Sequence, residues 1–200
     1  VNLGDKVIVT PLTFAASANC IRYRGGEVVF CDVEEDTYLM DIKKLSRLLS
    51  QSPKGTYKGI VLVDFAGYPA NLEAFRQLAD EYGLWIIEDA CHAPGGYFID
   101  SKGEKQLCGN GNFADISVFS FHPVKHIATG EGGMATTNSK KLYEKLCLYR
   151  THGITKDPAL LCENHGGWYY EMQELGYNYR ITDFQAALGI SQLKRADMGL

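Results

Sequence analysis

Gly59-Ile60-Val61-Leu62-Val63-Asp64-Phe65 decides the fold of this chain. A strand with one face in water alternates apolar and polar residues, whereas this one is apolar almost throughout. It therefore belongs to a sheet covered on both sides. Asn71 then opens a helix with Leu72, Phe75, Leu78 and Ala79 inward. Leu84–Ile87 is the next strand, ending in Glu88-Asp89. On the other side of the run, Val7–Thr10 and Glu27–Val33 read as strands, with a helix over Ala15–Tyr23 between them, closed by Gly25-Gly26. Asp41 caps a helix through about Ser50. Strand and helix alternate, as in an α/β domain with a mainly parallel sheet and helices on both faces.

Further along, Ile116–Phe121 and Met134–Thr137 read as strands. Ser139 caps a helix to about Thr151, and Thr182 caps a last one to about Arg195. Residues 153–171 read as a long loop. Among loops of that length in compact domains, functional ones are common.

The chain has 200 residues, 46% hydrophobic and 22% charged, with a net charge of −4. That suits one globular domain and argues against a nucleic-acid partner, which selects for a basic face. No apolar run approaches the ~20 residues of a membrane span. The six cysteines form no Cys-x-x-Cys pair, and most sit beside apolar residues as buried free thiols would. Free thiols point to a reducing, cytoplasmic setting. Val1 and the direct entry through Gly4-Asp5-Lys6 into an apolar run read as the middle of a longer protein.

In open α/β sheets, ligands collect beyond the carboxyl ends of the strands. Two strands here end in Glu88-Asp89-Ala-Cys-His92 and Ser120-Phe-His-Pro-Val-Lys125, and both segments should meet at one edge. Taken singly these residues are ordinary. Asp89 reads equally as a helix cap, Ser120 as a turn residue, and Lys125 as a solvated lysine. His122 and His126 have the spacing of a metal pair, but Pro123 lies between them and no third ligand is evident, so no metal is expected. Together the residues offer more. Pyridoxal phosphate needs a lysine to hold it as an imine and a carboxylate against its pyridine nitrogen. It also needs hydroxyls for its phosphate and an aromatic face for its ring. Lys125, Asp89, Ser120 and Phe14 match those needs.

Ser120-Phe-His-Pro-Val-Lys-His126 with Thr129-Gly-Glu-Gly-Gly133 closely resembles the lysine motif of the DegT-type nucleotide-sugar aminotransferases. Ile87-Glu-Asp-Ala-Cys-His-Ala93 resembles their aspartate motif, Pro11–Asn19 their aromatic segment, and Gly176–Asp183 their later Gly-Asn-Arg segment. The resemblance implies the large domain of a fold-type I pyridoxal-phosphate-dependent transferase, similar to that of aspartate aminotransferase. It makes residues 1–200 the central part of that domain, without its N-terminal start or the C-terminal small domain.

By the same resemblance Lys125 holds the cofactor and moves the proton, Asp89 pairs with the pyridinium nitrogen, and His92 bonds the 3′-oxygen. Ser120 binds the phosphate and Phe14 stacks on the ring. Asn178 reaches the site of a neighbouring subunit, which implies a homodimer. Glu131 and Arg180 are weaker candidates for the substrate end, equally readable as a turn carboxylate and a surface ion-pair partner. Gly166–Arg180 resembles a subgroup that acts in pseudaminic acid biosynthesis, moving an amino group from L-glutamate to C4 of a UDP-linked 4-keto-6-deoxy-N-acetyl hexosamine. Trp168, Tyr169 and Tyr170 are equally readable as faces for a sugar or uracil and as loop packing. Two alternatives stay open. A sugar dehydratase on the same scaffold carries histidine at the lysine position, and a regulatory relative binds cofactor without chemistry.

Overall fold

A computed structural model describes residues 1–199. The elements run β1 (Lys6–Val9), α1 (Ala16–Tyr23), β2 (Glu27–Phe30), α2 (Ile42–Ser50), β3 (Tyr57–Val63), α3 (Leu72–Tyr82) and β4 (Trp85–Asp89). A hairpin of β5 (Tyr97–Ile99) and β6 (Lys105–Leu107) follows, then β7 (Ile116–Ser120), β8 (Gly133–Thr136) and α4 (Lys140–Arg150). The later part holds β9 (Ile154–Thr155), β10 (Glu171–Met172) and α5 (Asp183–Leu193). Among the described residues no helix is long and apolar enough to cross a membrane.

The main sheet has six strands in the order β2-β1-β3-β4-β7-β8. All pairs are parallel except β7 with β8, which is antiparallel. This is the expected α/β class, with one antiparallel edge strand. Side chains alternate between its two faces, as the pleat requires. Ile8, Ile60, Leu62 and Ile86 pack against Leu45 and Leu49 of α2 and Leu72, Phe75 and Ala79 of α3. Val7, Val9 and Val61 pack against Ile21 of α1, with Ala18, Trp85 and Ile87 beside them. The apolar run of β3 thus feeds both layers. Each fully buried Val, Leu, Ile or Phe side chain among them contributes about 1.5–3 kcal/mol.

The helix starts follow their caps. Asp41 accepts from the Lys43 and Lys44 amides at 2.8 and 3.1 Å. Asn71 accepts from Ala74 N–H, and Thr182 forms a reciprocal capping box with Gln185. Two expectations need correction, and one element carries no sequence signal. Residues 153–171 are not one loop, because β9 and β10 pair antiparallel at its two ends. The β5–β6 hairpin has no signature in the sequence, since its strands are too short to show alternation. Finally, only Cys31 and Cys108 of the six free cysteines are buried, and Cys20 and Cys162 are exposed. An apolar neighbour in sequence does not set which way a side chain faces.

Candidate active site

Asp89 ends β4 and Ser120 ends β7, and these two strands are parallel neighbours. Asp89 is in register with Val118. Ser120 lies two positions beyond Val118, so the pleat puts Ser120 and Asp89 on the same face of the sheet. That face carries α1, and Ser17 of α1 donates its hydroxyl hydrogen to Asp89 Oδ2 at 2.7 Å. Cys91 N–H approaches Asp89 Oδ1 at 3.3 Å. No helix follows Asp89, so it is not a helix cap. Phe14 lies just before α1 and is 76% exposed.

Past Ser120 the chain turns back on itself. Lys125 N–H donates to His122 O, and Thr129 N–H to Phe121 O. Phe121 N–H reaches Gly132 O on the way into β8. Buried Thr129 secures the turn by donating to Glu131 O at 2.7 Å. The turn leaves Lys125 half-buried and within electrostatic reach of Cys91 and His92, just past the end of β4. Its charge is felt there. Burial first, then the Lys125 ammonium, holds the pKa of His92 below the ordinary histidine value. Burial and then the Asp89 charge push the Cys91 thiol up to about 12, with Lys125 acting against them.

His92 is oriented from the other side. Ala66 N–H donates to its Nδ1 at 3.3 Å, from the turn that follows β3. With Nδ1 accepting and the ring neutral, the proton lies on Nε2, which is then a donor. Gly67 in the same turn has φ +84°, and a Cβ there would lie 2.9 Å from His92 O. Both the backbone conformation and the close approach require glycine.

The opposite face of β4 holds a second cluster that sequence spacing did not reveal. Glu88 is buried, accepts from Gly109 N–H and accepts the Ser117 hydroxyl hydrogen. Asp64, at the end of β3, is also buried; its Oδ1 accepts from Ala70 N–H at 2.8 Å, while Oδ2 has no donor. Asp64, Glu88 and Cys108 bring their ligand-type atoms within 4.8 Å of one another. Burial, and next the Glu88 charge, raise the Asp64 pKa well above its ordinary value. A proton on Asp64 Oδ2 would fill the unpaired position and remove the repulsion between the two acids. The signal was faint: only the alternation of β4 places Glu88 and Asp89 on opposite faces.

Glu131 and Arg180 line one open cavity of about 1110 Å³ with Met134, Tyr149, Tyr177 and Tyr179. Asp89 and Lys125 are not among its lining residues. Glu131 Oε1 stands 3.9 Å from His122 Nε2. Asn178 is exposed and forms an isolated backbone bridge with Thr151. In the 156–170 segment Tyr169 packs locally, its hydroxyl donating to Glu171 at 2.8 Å. Trp168 stacks near His165 and is 71% exposed.

Residues 1–199 match the DegT/DnrJ/EryC1/StrS aminotransferase family, and the chain belongs to that family. It is 42% identical over 201 residues to the UDP-4-amino-4,6-dideoxy-N-acetyl-beta-L-altrosamine transaminase of Campylobacter jejuni, covering 99% of this chain and 49% of that protein. It is 36% identical over 194 residues to the GDP-perosamine synthase of Escherichia coli O157:H7, covering 97% and 48%. A solved Helicobacter pylori aminotransferase involved in the biosynthesis of pseudoaminic acid superposes with a TM-score of 0.80 at 34% identity, covering 97% of this chain and 47% of that one. The chain spans about half the length of the curated relatives it matches.

Proposed function

We propose that this chain is the central, cofactor-holding part of a pyridoxal-phosphate-dependent nucleotide-sugar aminotransferase. The reaction we assign is transfer of an amino group from L-glutamate to C4 of a UDP-linked 4-keto-6-deoxy-N-acetyl hexosamine. The observation that carries the reading is the convergence of Asp89, Ser120 and Lys125. Two adjacent strand ends put the carboxylate and hydroxyl on one face, and the turn after β7 holds the amine near β4. The donor set fits the cofactor: an anchored carboxylate, a hydroxyl, an amine, an exposed aromatic ring and a neutral imidazole.

Bound there, pyridoxal phosphate supplies an electron sink for carbanion chemistry. Lys125 would hold it and, once displaced by the amino donor, would carry the proton between substrate carbon and cofactor. Asp89 would keep the ring nitrogen protonated. His92 would donate Nε2–H to the ring oxygen. Ser120 would bind the phosphate, and Phe14 would cover the ring and exclude water. Glu131 and Arg180 would serve the substrate end, and exposed Asn178 would reach the site of a second copy in a homodimer. The free cysteines fit a cytoplasmic location. The UDP-sugar assignment leans on the Campylobacter relative, because the Escherichia coli relative's name points to a GDP-sugar.

The test uses full-length protein with glutamate and paired UDP- and GDP-linked 4-keto sugars. Amination of the UDP substrate is expected, with loss of turnover and of lysine-bound cofactor absorbance in Lys125→Ala. Unchanged turnover in Lys125→Ala would end the reading. A preference for the GDP-sugar would overturn the substrate assignment alone.

A further inference from the structure

We propose that Ser17 is a positioning residue for the cofactor. It would anchor one oxygen of Asp89, at the end of a hydroxyl relay that begins at Thr13, so that the carboxylate meets the ring nitrogen in one fixed orientation. The inference rests on Asp89 being the partner of that nitrogen. Ser17 lies in the first turn of α1, is 5% exposed, and faces the sheet. Its hydroxyl stands 2.7 Å from Asp89 Oδ2 and 2.7 Å from Thr13 Oγ1.

An ionised carboxylate only accepts, so the single Ser17 proton points to Asp89. Thr13 must then be the donor to Ser17, and the relay runs in one direction from Thr13 to Asp89. Hydrogen bonds in such a chain polarise one another. A bond to an ionised acceptor is also stronger than one between neutral groups. With Cys91 N–H near Oδ1, both oxygens of Asp89 are engaged, which restricts rotation of the carboxylate. Ser17 thereby ties Asp89 to α1, and Phe14 leads into the same helix. One short segment would set both the ring-stacking face and the carboxylate orientation.

The test compares full-length wild type with Ser17→Ala, Ser17→Thr and Thr13→Val, loaded with pyridoxal phosphate labelled with ¹⁵N in the ring. Two quantities are read: the ¹⁵N chemical shift, which reports where the ring proton resides, and the rate of cofactor loss on dilution. Ser17→Ala is expected to shift the nitrogen signal toward the unprotonated ring and to release cofactor about ten-fold faster. Ser17→Thr restores both, and Thr13→Val shows a smaller change in the same direction. A wild-type signal and release rate in both Ser17→Ala and Thr13→Val overturn the inference. Failure of the wild type to take up the cofactor on Lys125 instead overturns the functional reading beneath it. If Ser17→Ala does not fold, Thr13→Val decides alone: a wild-type result in that variant overturns the relay.

Discussion

Asp64 and Glu88 bring two buried carboxyl groups together at the ends of adjacent parallel strands, on the face of the sheet opposite Asp89. Glu88 accepts from Gly109 N–H and from the Ser117 hydroxyl, whereas Asp64 Oδ2 has no hydrogen-bond partner. Asp64 is therefore the member that keeps a proton. In an unfolded chain an aspartate ionises near ~3.9. Its folded pKa is raised well above that, by burial and then by Glu88, so folding takes up a proton. The associated stability is fully present below the unfolded pKa and is lost as pH rises toward the folded one. Asp64→Asn retains a donor toward Glu88 and cannot ionise. Its unfolding free energy in urea should fall less steeply than wild type from pH 5 to pH 8, by up to about one proton's worth of slope. Parallel slopes would show that Asp64 is ionised in the fold.

Gly59 pairs with Trp85 across β3 and β4, and the indole lies over it. A Cβ at position 59 would come 2.1 Å from Trp85 Cδ2. Gly59→Ala should cost about 1–3 kcal/mol, the range for overpacking a filled core. Thermal or denaturant unfolding measures this. An unchanged midpoint would mean that the indole moves aside freely.

Lys125 depresses the His92 pKa, second only to burial. In cofactor-free Lys125→Ala, His92 should therefore titrate at higher pH than in cofactor-free wild type, closer to the ordinary ~6.5. An NMR titration of the histidine ring protons reads this directly. No upward movement would place Lys125 out of electrostatic reach of the β4 end.

Asp41 caps α2 through two backbone amides. Asp41→Ala should lower stability by about 1 kcal/mol, and Asp41→Asn by much less, since asparagine caps nearly as well. Equal losses in both variants would assign the effect to charge rather than to the cap.

Most of the scaffold was legible because its signals are local. The unbroken apolar run of β3 announced a covered strand, and Asp41, Asn71, Ser139 and Thr182 marked helix starts through short-range side-chain bonds. The β5–β6 and β9–β10 pairings were not legible, because strands of two or three residues carry no period and form only through contacts distant in sequence. The same division runs through the site. Sequence alone named Lys125, Asp89, Ser120, Phe14 and His92 as a set, through residue types and motif resemblance. Only the tertiary structure decided that Ser17 meets Asp89 from 72 positions away. It likewise decided that Glu88 turns its back on Asp89 to join Asp64 and Ser117, and that Glu131 and Arg180 line one cavity together. Which side chains meet depends on strand order, register and the pleat, and those follow from burying both faces of the sheet at once.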